Sequence, residues 1–385
     1  MQNLSVFDPV KVAIHDHFVK SEAPVYLYDK MKIQSNCHSF LQLPYSCKKI
    51  HFATMANIHP EFLSIIRSEG INVFVNSLPH LKKVQQIGYS GHEIIFTASA
   101  MNEEAMKVAL DCGATVNLDS LEQIELWGKV SGGSGYGIRC NIGNLIEPRK
   151  TRAGYFLGKA SRLGLSIDEM RTLKGNPNVK GLHIYVGTDI MEIDYFMDCY
   201  SKLGDFVKWY PQLEYLDLGG GFGIEDLDLS ADFDLNAYGE KVSIYMEEIN
   251  TQIGRPLTMV LEPGRILGGK AGYFACRVVD VKWRENNQLI GVNASVSQFP
   301  RPLFYPDTAF HPVTILDSSG KQKENEEIVS SIHGCSTYSR DFLAQDIHTG
   351  KVSPGDIAVF GHAGSYCASS YTEFLGFQKP EEIYI

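Results

Sequence analysis

LDLGGGFG, residues 216–223, is an apolar run that ends in three consecutive glycines. Glycine has no Cβ, so backbone N–H groups at such a turn can approach an anion closely. A strand closed by that turn suits the C-terminal mouth of an α/β barrel, where phosphate groups are bound. Taken alone the triplet is equally a structural turn, and its neighbours decide. Upstream lie KIHFAT (49–54), INVFV (71–75), EIIFTA (93–98), ATVNLDS (114–120), YGIRCNI (136–142) and KGLHIYVG (180–187); downstream lies TMVLEPG (258–264). Amphipathic stretches separate them: HPEFLSIIRSEG, SLPHLKKVQQIG, NEEAMKVALDCG, SLEQIELWGKV and FMDCYSKLGDFVKWY. Several of these end at a glycine just past the last apolar residue, the usual stop for a helix. Eight strands alternating with helices predict a (β/α)8 barrel, with an open doubly wound sheet as the rival.

Beyond about residue 272 the helical period disappears. GYFACRVVDVKW, NQLIGVNASV, HPVTILD, EEIVSSIHG and GDIAVFG are β-branched and aromatic runs separated by turn residues. They predict a C-terminal all-β domain, which APVYLYD (23–29) joins from the other end of the chain. The expected division is a barrel over residues 30–270 and a β-sandwich or β-barrel domain from residues 1–29 and 271–385.

The 385 residues carry Lys+Arg 35 against Asp+Glu 45, a formal charge of −10, which argues against a nucleic-acid or other polyanion surface. No apolar run reaches the length of a membrane span, and the start has no secretory pattern. The eight cysteines show no CxxC or CxH spacing, so a reduced cytoplasmic protein without a disulfide or zinc framework is expected. No cluster of His, Asp and Glu is legible at successive strand ends, and no metal site is predicted.

Three further segments carry chemistry. LEPGR (261–265) ends a strand with Glu262 aimed at the mouth and with Gly264 and Arg265 as anion donors; the plain alternative is a surface Glu–Arg pair. In GLHIYVGTD (181–189), His183 and Tyr185 share a strand face and Thr188 follows a glycine, so they can flank a flat aromatic ligand; a satisfied core histidine is the alternative. HGCSTYSRD (333–341) and HAGSYCASSYTEFLGF (362–377) place glycine, hydroxyl residues and tyrosine at predicted strand ends.

In this order, from HFATMAN (51–57) to FLGF (374–377), the segments resemble the fold-type III pyridoxal-phosphate decarboxylases of diaminopimelate, ornithine and arginine, which pair an alanine racemase-like barrel with a β domain. SRLGL (161–165), FPRPLFY (299–305) and GSY (364–366) match further family segments. The resemblance implies pyridoxal 5'-phosphate held by Ala53, His183, Thr188, Gly219, Gly220, Gly221, Gly264, Arg265 and Tyr366, with Glu262 on the pyridine nitrogen. It implies a substrate contacted by Arg139, Arg265, Arg301, Tyr305 and Asp341. It also implies a homodimer, with Thr337 and Asp341 entering each site from the partner.

The departures from the family pattern are as informative. Met55 stands where the family carries the lysine that binds the cofactor aldehyde, and a thioether cannot form an imine. Phe74 stands where an aspartate is common, Tyr185 where a histidine stacks on the ring, and Thr337 where a cysteine donates a proton, with Cys335 two residues away. An engineered Lys→Met change would explain Met55 alone; natural divergence also covers Phe74, Tyr185 and Thr337. The cofactor would then bind noncovalently or as an external aldimine with the substrate's amine. The function implied is a pyridoxal-phosphate-dependent amino-acid decarboxylase, a carboxy-lyase acting on or binding a basic or diamino-acid-derived substrate. The alternative is a catalytically inactive paralogue that binds a ligand or regulates a partner.

Overall fold

The computed structural model describes residues 8–143, 145–147, 149–150, 154–224, 232–306, 309–324 and 326–385. The chain divides into two compact units, one holding residues 35–224 and 232–266, the other residues 8–34 and 267–385.

The first strand, β1 (Val25–Tyr28), belongs to the second unit. The first unit is a closed parallel barrel of eight strands: β2 (Lys48–Ala53), β3 (Asn72–Val75), β4 (Ile94–Thr97), β5 (Thr115–Leu118), β6 (Tyr136–Arg139), β7 (Val179–His183), β8 (Tyr215–Asp217) and β9 (Thr258–Leu261). β9 pairs with β2 through Lys48↔Met259 to Ile50↔Leu261, which closes the ring. Several strands are shorter than their apolar runs, as in KGLHIYVG and TMVLEPG, which continue past His183 and Leu261 into mouth loops. Helices open where the sequence offers an oxygen as cap: Ser77 accepts from the His80 amide, Asn102 from Ala105 and Ser120 from Gln123. The stretch predicted as one helix over 196–210 is instead a helix Ile193–Gly204 followed by a single 3₁₀ turn, Val207–Trp209. There the Trp209 amide bonds Phe206 three residues back, the tighter pitch of a fraying end.

Inside the barrel, Tyr215 spans the bore. Its ring occupies the space that a Cβ at Gly181 would need, and its hydroxyl the space above Gly137. Those two glycines are therefore packing residues, which let one aromatic side chain cross the axis.

The second unit is a mixed sheet in the order β12-β15-β10-β11-β13-β14, with β1 also pairing β10 and β16: β10 (Gly272–Arg284), β11 (Asn287–Val292), β12 (Val313–Leu316), β13 (Ile328–His333), β14 (Phe342–Thr349), β15 (Ile357–Phe360) and β16 (Glu381–Tyr384). β10 pairs β1 and β15 with its first half and β11 with its second, the register shifting between Val278 and Asp280. That irregularity lets one long strand serve two parts of the sheet. The unit is not all β. Helix Asp8–Lys20 buries Val10, Ile14 and Phe18 against Val25, Leu27, Tyr273, Ile357 and Val359. β14 and β16 were also not anticipated; FLAQDIHT is too polar to stand out, and EEIY opens on two acids.

All eight cysteines are free. Among the described residues no helix is long and apolar enough to cross a membrane.

Candidate active site

The C-terminal ends of β7, β8 and β9 bring His183, Asp217 and Glu262 together, with ligand-type atoms of the three within 4.8 Å of one another. This corrects the expectation that no His/Asp/Glu cluster lies at successive strand ends. The three residues stand 34 and 45 positions apart in the sequence, and only barrel closure makes them neighbours. All three are buried.

The turn that aims Glu262 is fixed by backbone bonds. The Glu262 amide donates to the Gly219 carbonyl (2.8 Å), and the Ala53 amide donates to the Pro263 carbonyl (3.0 Å). LEPGR is thus pinned between the glycine loop and the end of β2, which places Ala53 under the mouth. The glycine loop itself has no room for side chains. A Cβ at Gly219, Gly220 or Gly221 would land on the carbonyl oxygen of Ile184, Glu262 or Gly187 respectively, and Gly219 and Gly221 have φ of +68° and +99°. Among the described residues no acceptor takes the Gly220 and Gly221 amides, which leaves a bare N–H cradle beside Glu262.

Below the cradle a polar chain crosses the barrel. The Tyr215 hydroxyl donates to Asn117 Oδ1 (2.7 Å), Asn117 Nδ2 donates to Asp217 Oδ2 (3.1 Å), and the Gly219 amide donates to Asp217 Oδ1 (3.1 Å). The carboxyl groups of Asp217 and Glu262 lie side by side, with oxygens within 4.8 Å of each other. Burial raises both carboxyls, Asp217 far above the usual range and Glu262 to about 8. His183 Nε2 lies 3.4 Å from Glu262 Oε2, and burial lowers its pKa to about 4, so the ring is neutral. Both His183 nitrogens, Glu262 Oε1 and Arg265 Nε are buried without a hydrogen-bond partner. Native interiors rarely leave such atoms unsatisfied, so this mouth is built to receive a polar group.

Tyr185 stands edge-on to Phe156, with ring centroids 4.8 Å apart, and its hydroxyl sits 3.0 Å from Thr188 Oγ1. Burial pushes that phenol up to about 12. Phe74 stacks loosely on His183, centroids 6.5 Å apart. Arg139 ends β6 with Nε 3.8 Å from Asp119 Oδ1; desolvation lowers its pKa, against the pull of Asp119 and Glu262. Arg265 Nη1 lies 2.5 Å from Asp189 Oδ1. Asn76, Asn117, Asp189 and Asp217 were not singled out from the sequence. Asn117 and Asp217 each carried a signal, a polar residue inside the apolar runs ATVNLDS and LDLGGGFG.

Met55 lies just beyond β2 and packs against Ala53, Phe74, Ile95 and Val260, with Asn76 Nδ2 2.6 Å from its sulfur. The remaining candidates belong to the second unit. Arg301 is buried with Nη1 3.3 Å from His311 Nε2, and Tyr305 lies 6.0 Å from its guanidinium carbon. Asp341 accepts from the Val296 and Ser336 amides and from the Ser295 and Ser336 hydroxyls, so it organises its own loop. Thr337 and Cys335 are exposed on a bend, and Tyr366 has a left-handed φ of +58°.

A cavity of about 470 Å³ also opens at the opposite end of the barrel, lined by Lys49, His51, Tyr136, Lys180, Glu214 and Tyr215 among others. None of its lining residues carries an unpartnered buried polar side-chain atom among the described residues, and barrel active sites lie at the C-terminal face. The unpartnered buried atoms of His183, Glu262 and Arg265 lie instead at the glycine-loop mouth.

Residues 30–269 match the family model for the pyridoxal binding domain of pyridoxal-dependent decarboxylases. Diaminopimelate decarboxylase of Methanothermobacter thermautotrophicus is 23% identical over 94% of this chain and 86% of its own length. That of Neisseria meningitidis is 27% identical over 94% and 89%. In fold, the chain is similar to diaminopimelate decarboxylase from Helicobacter pylori complexed with L-lysine, at a TM-score of 0.85 and 20% identity over 96% of this chain and 93% of that one. It is also similar to lysine/ornithine decarboxylase complexed with putrescine from Vibrio vulnificus, at 0.80 and 18%, with 99% of each covered.

The residues at the mouth fit the family's cofactor at two points and depart from it at a third. The bare amide cradle suits a phosphate and the unpartnered Glu262 Oε1 suits a ring nitrogen, while Met55 offers no amine for covalent attachment. The chain belongs to the pyridoxal-dependent decarboxylase family, whose cofactor is pyridoxal 5'-phosphate.

Proposed function

We propose that this protein holds pyridoxal phosphate noncovalently at the barrel mouth and removes CO2 from a basic or diamino acid whose own amine replaces the missing chain lysine. The observation that carries this is Glu262: buried beside Asp217, and presenting an unpartnered oxygen beside an amide cradle that no side chain could enter. When bound, the cofactor supplies an aldehyde for the amine and a ring that accepts the electron pair left by CO2. Glu262 holds the proton that the ring nitrogen needs, and Asp217 keeps that proton within reach. Gly220 and Gly221 bind the phosphate through their amides, joined by Tyr366 on the family pattern. His183 and Tyr185 flank the ring, and Thr188 fixes the Tyr185 hydroxyl.

The substrate class rests on the structural relatives, which were solved in complex with L-lysine and putrescine, and on the arginines Arg139, Arg265 and Arg301 with Tyr305 and Asp341. The active form on this reading is a homodimer in which Thr337 stands for the family's proton donor. Without a lysine to relay protons, turnover should fall by about 10²–10⁴ relative to a lysine-bearing site.

A second reading, a binding protein without turnover, draws on Met55, which packs into the apolar cluster and meets the Asn76 amide. One experiment separates them. Purified protein and its Met55→Lys variant are equilibrated with pyridoxal phosphate and assayed, with the cofactor present throughout, for cofactor retained at equilibrium and for CO2 from diaminopimelate, ornithine, lysine and arginine. Retained cofactor with slow CO2 release, accelerated in the variant, supports the decarboxylase. Retention without CO2 from either protein supports the binding protein. No retention by either removes the cofactor site assigned here.

A further inference from the structure

Asp189 is held in a backbone conformation that few side chains tolerate, with φ +54°. Aspartate is one of the residues that does. Its successor is spliced to the glycine loop: the Ile190 amide donates to the Gly221 carbonyl (2.9 Å), and the Gly223 amide to the Ile190 carbonyl (3.0 Å). The turn sends the Asp189 carboxylate inward, where it is 7% exposed, and Arg265, 8% exposed, meets it at 2.5 Å. Arg265 Nε has no partner. The cation beside the cradle is therefore neutralised by a carboxylate of the same chain.

We propose that Asp189 is a specificity-determining residue that weakens the cradle's grip on an anion by occupying Arg265. This rests on pyridoxal phosphate being the ligand of this mouth. A phosphate arriving at Gly220 and Gly221 meets an ion pair in place of a free guanidinium, and it must either share Arg265 with Asp189 or displace it. In a buried site a charge at this range alters anion affinity strongly. A chain without a covalent anchor thus holds its cofactor through a deliberately weakened anion site, which suits a ligand that enters and leaves.

The test is equilibrium binding of pyridoxal phosphate, and separately of inorganic phosphate, by calorimetry. The wild-type protein is compared with Asp189→Asn and Asp189→Gly, the glycine being compatible with the left-handed backbone should the asparagine variant fail to fold. Both variants should bind both ligands at least tenfold more tightly, with a larger rise in melting temperature on saturation. Adding Arg265→Gln to Asp189→Asn should abolish the gain. Wild-type binding with an unchanged or weakened variant overturns the role of Asp189 while leaving the cofactor site standing. Binding by none of the proteins overturns both.

Discussion

Replacing Glu262 with glutamine should make the ligand-free protein more stable, increasingly so as pH rises. The unfolded chain releases the Glu262 proton near 4.5, whereas burial in the folded barrel holds it to about 8. Over that interval of about 3.5 pH units the folded state keeps a proton that the unfolded state gives up. At about 1.4 kcal/mol per unit this costs up to about 5 kcal/mol. The sign follows from the raised folded pKa: the stability is fully present below about 4.5 and lost as pH climbs through 8. Glutamine has nothing to release and keeps the shape. Its amide can also donate to Asp217, which already accepts from Asn117 and Gly219. Urea unfolding at pH 5, 7 and 9, followed by the fluorescence of Trp127 and Trp209 in the barrel unit, measures the difference. The gap between variant and wild type should widen by about 4 kcal/mol from pH 5 to 9, because pH 5 already lies above the unfolded pKa, while the variant loses affinity for pyridoxal phosphate. Parallel stability curves across that range would refute the proton-holding role of Glu262.

Two further substitutions test the supports of the mouth. Gly220→Ala drives a methyl onto the Glu262 carbonyl oxygen and should cost about 2–4 kcal/mol in urea unfolding, with phosphate binding lost even where the protein stays folded. Tyr215→Phe removes the donor to a fully buried Asn117 and should lower stability by about 1–3 kcal/mol in a melting experiment at pH 7; a loss too small to measure would show that the transverse chain is not coupled to folding.

The barrel was legible because its strands are short apolar runs at regular intervals, and LDLGGGFG fixed which end bears the site. Glu262, His183 and the glycines could be named from the sequence because each sits at a strand end beside a turn residue. Asn117, Asp189 and Asp217 could not. Asn117 and Asp217 work through partners about a hundred residues distant, and Asp189 through Arg265, 76 residues on. Such contacts exist only after closure. The helix Asp8–Lys20 escaped notice because its apolar face, Val10, Ile14 and Phe18, becomes meaningful only against a sheet assembled from the far end of the chain. The pairing of Arg265 with Asp189 is hidden for a related reason: a guanidinium in a motif shows nothing of the carboxylate that folds against it.

The line from Tyr215 through Asn117 and Asp217 to Glu262 has a consequence for how this site can change. Tyr215 reaches its place only because positions 137 and 181 carry no side chain. A redesign that replaces Glu262 changes the surroundings of Asp217, and through it those of Asn117 and the anchoring of Tyr215. Glu262 and two glycines deep in the bore are therefore linked through one polar line, so a change at either end bears on the other. A sequence that retains Gly137, Gly181 and Tyr215 while losing Glu262 would mark a barrel midway between two chemistries.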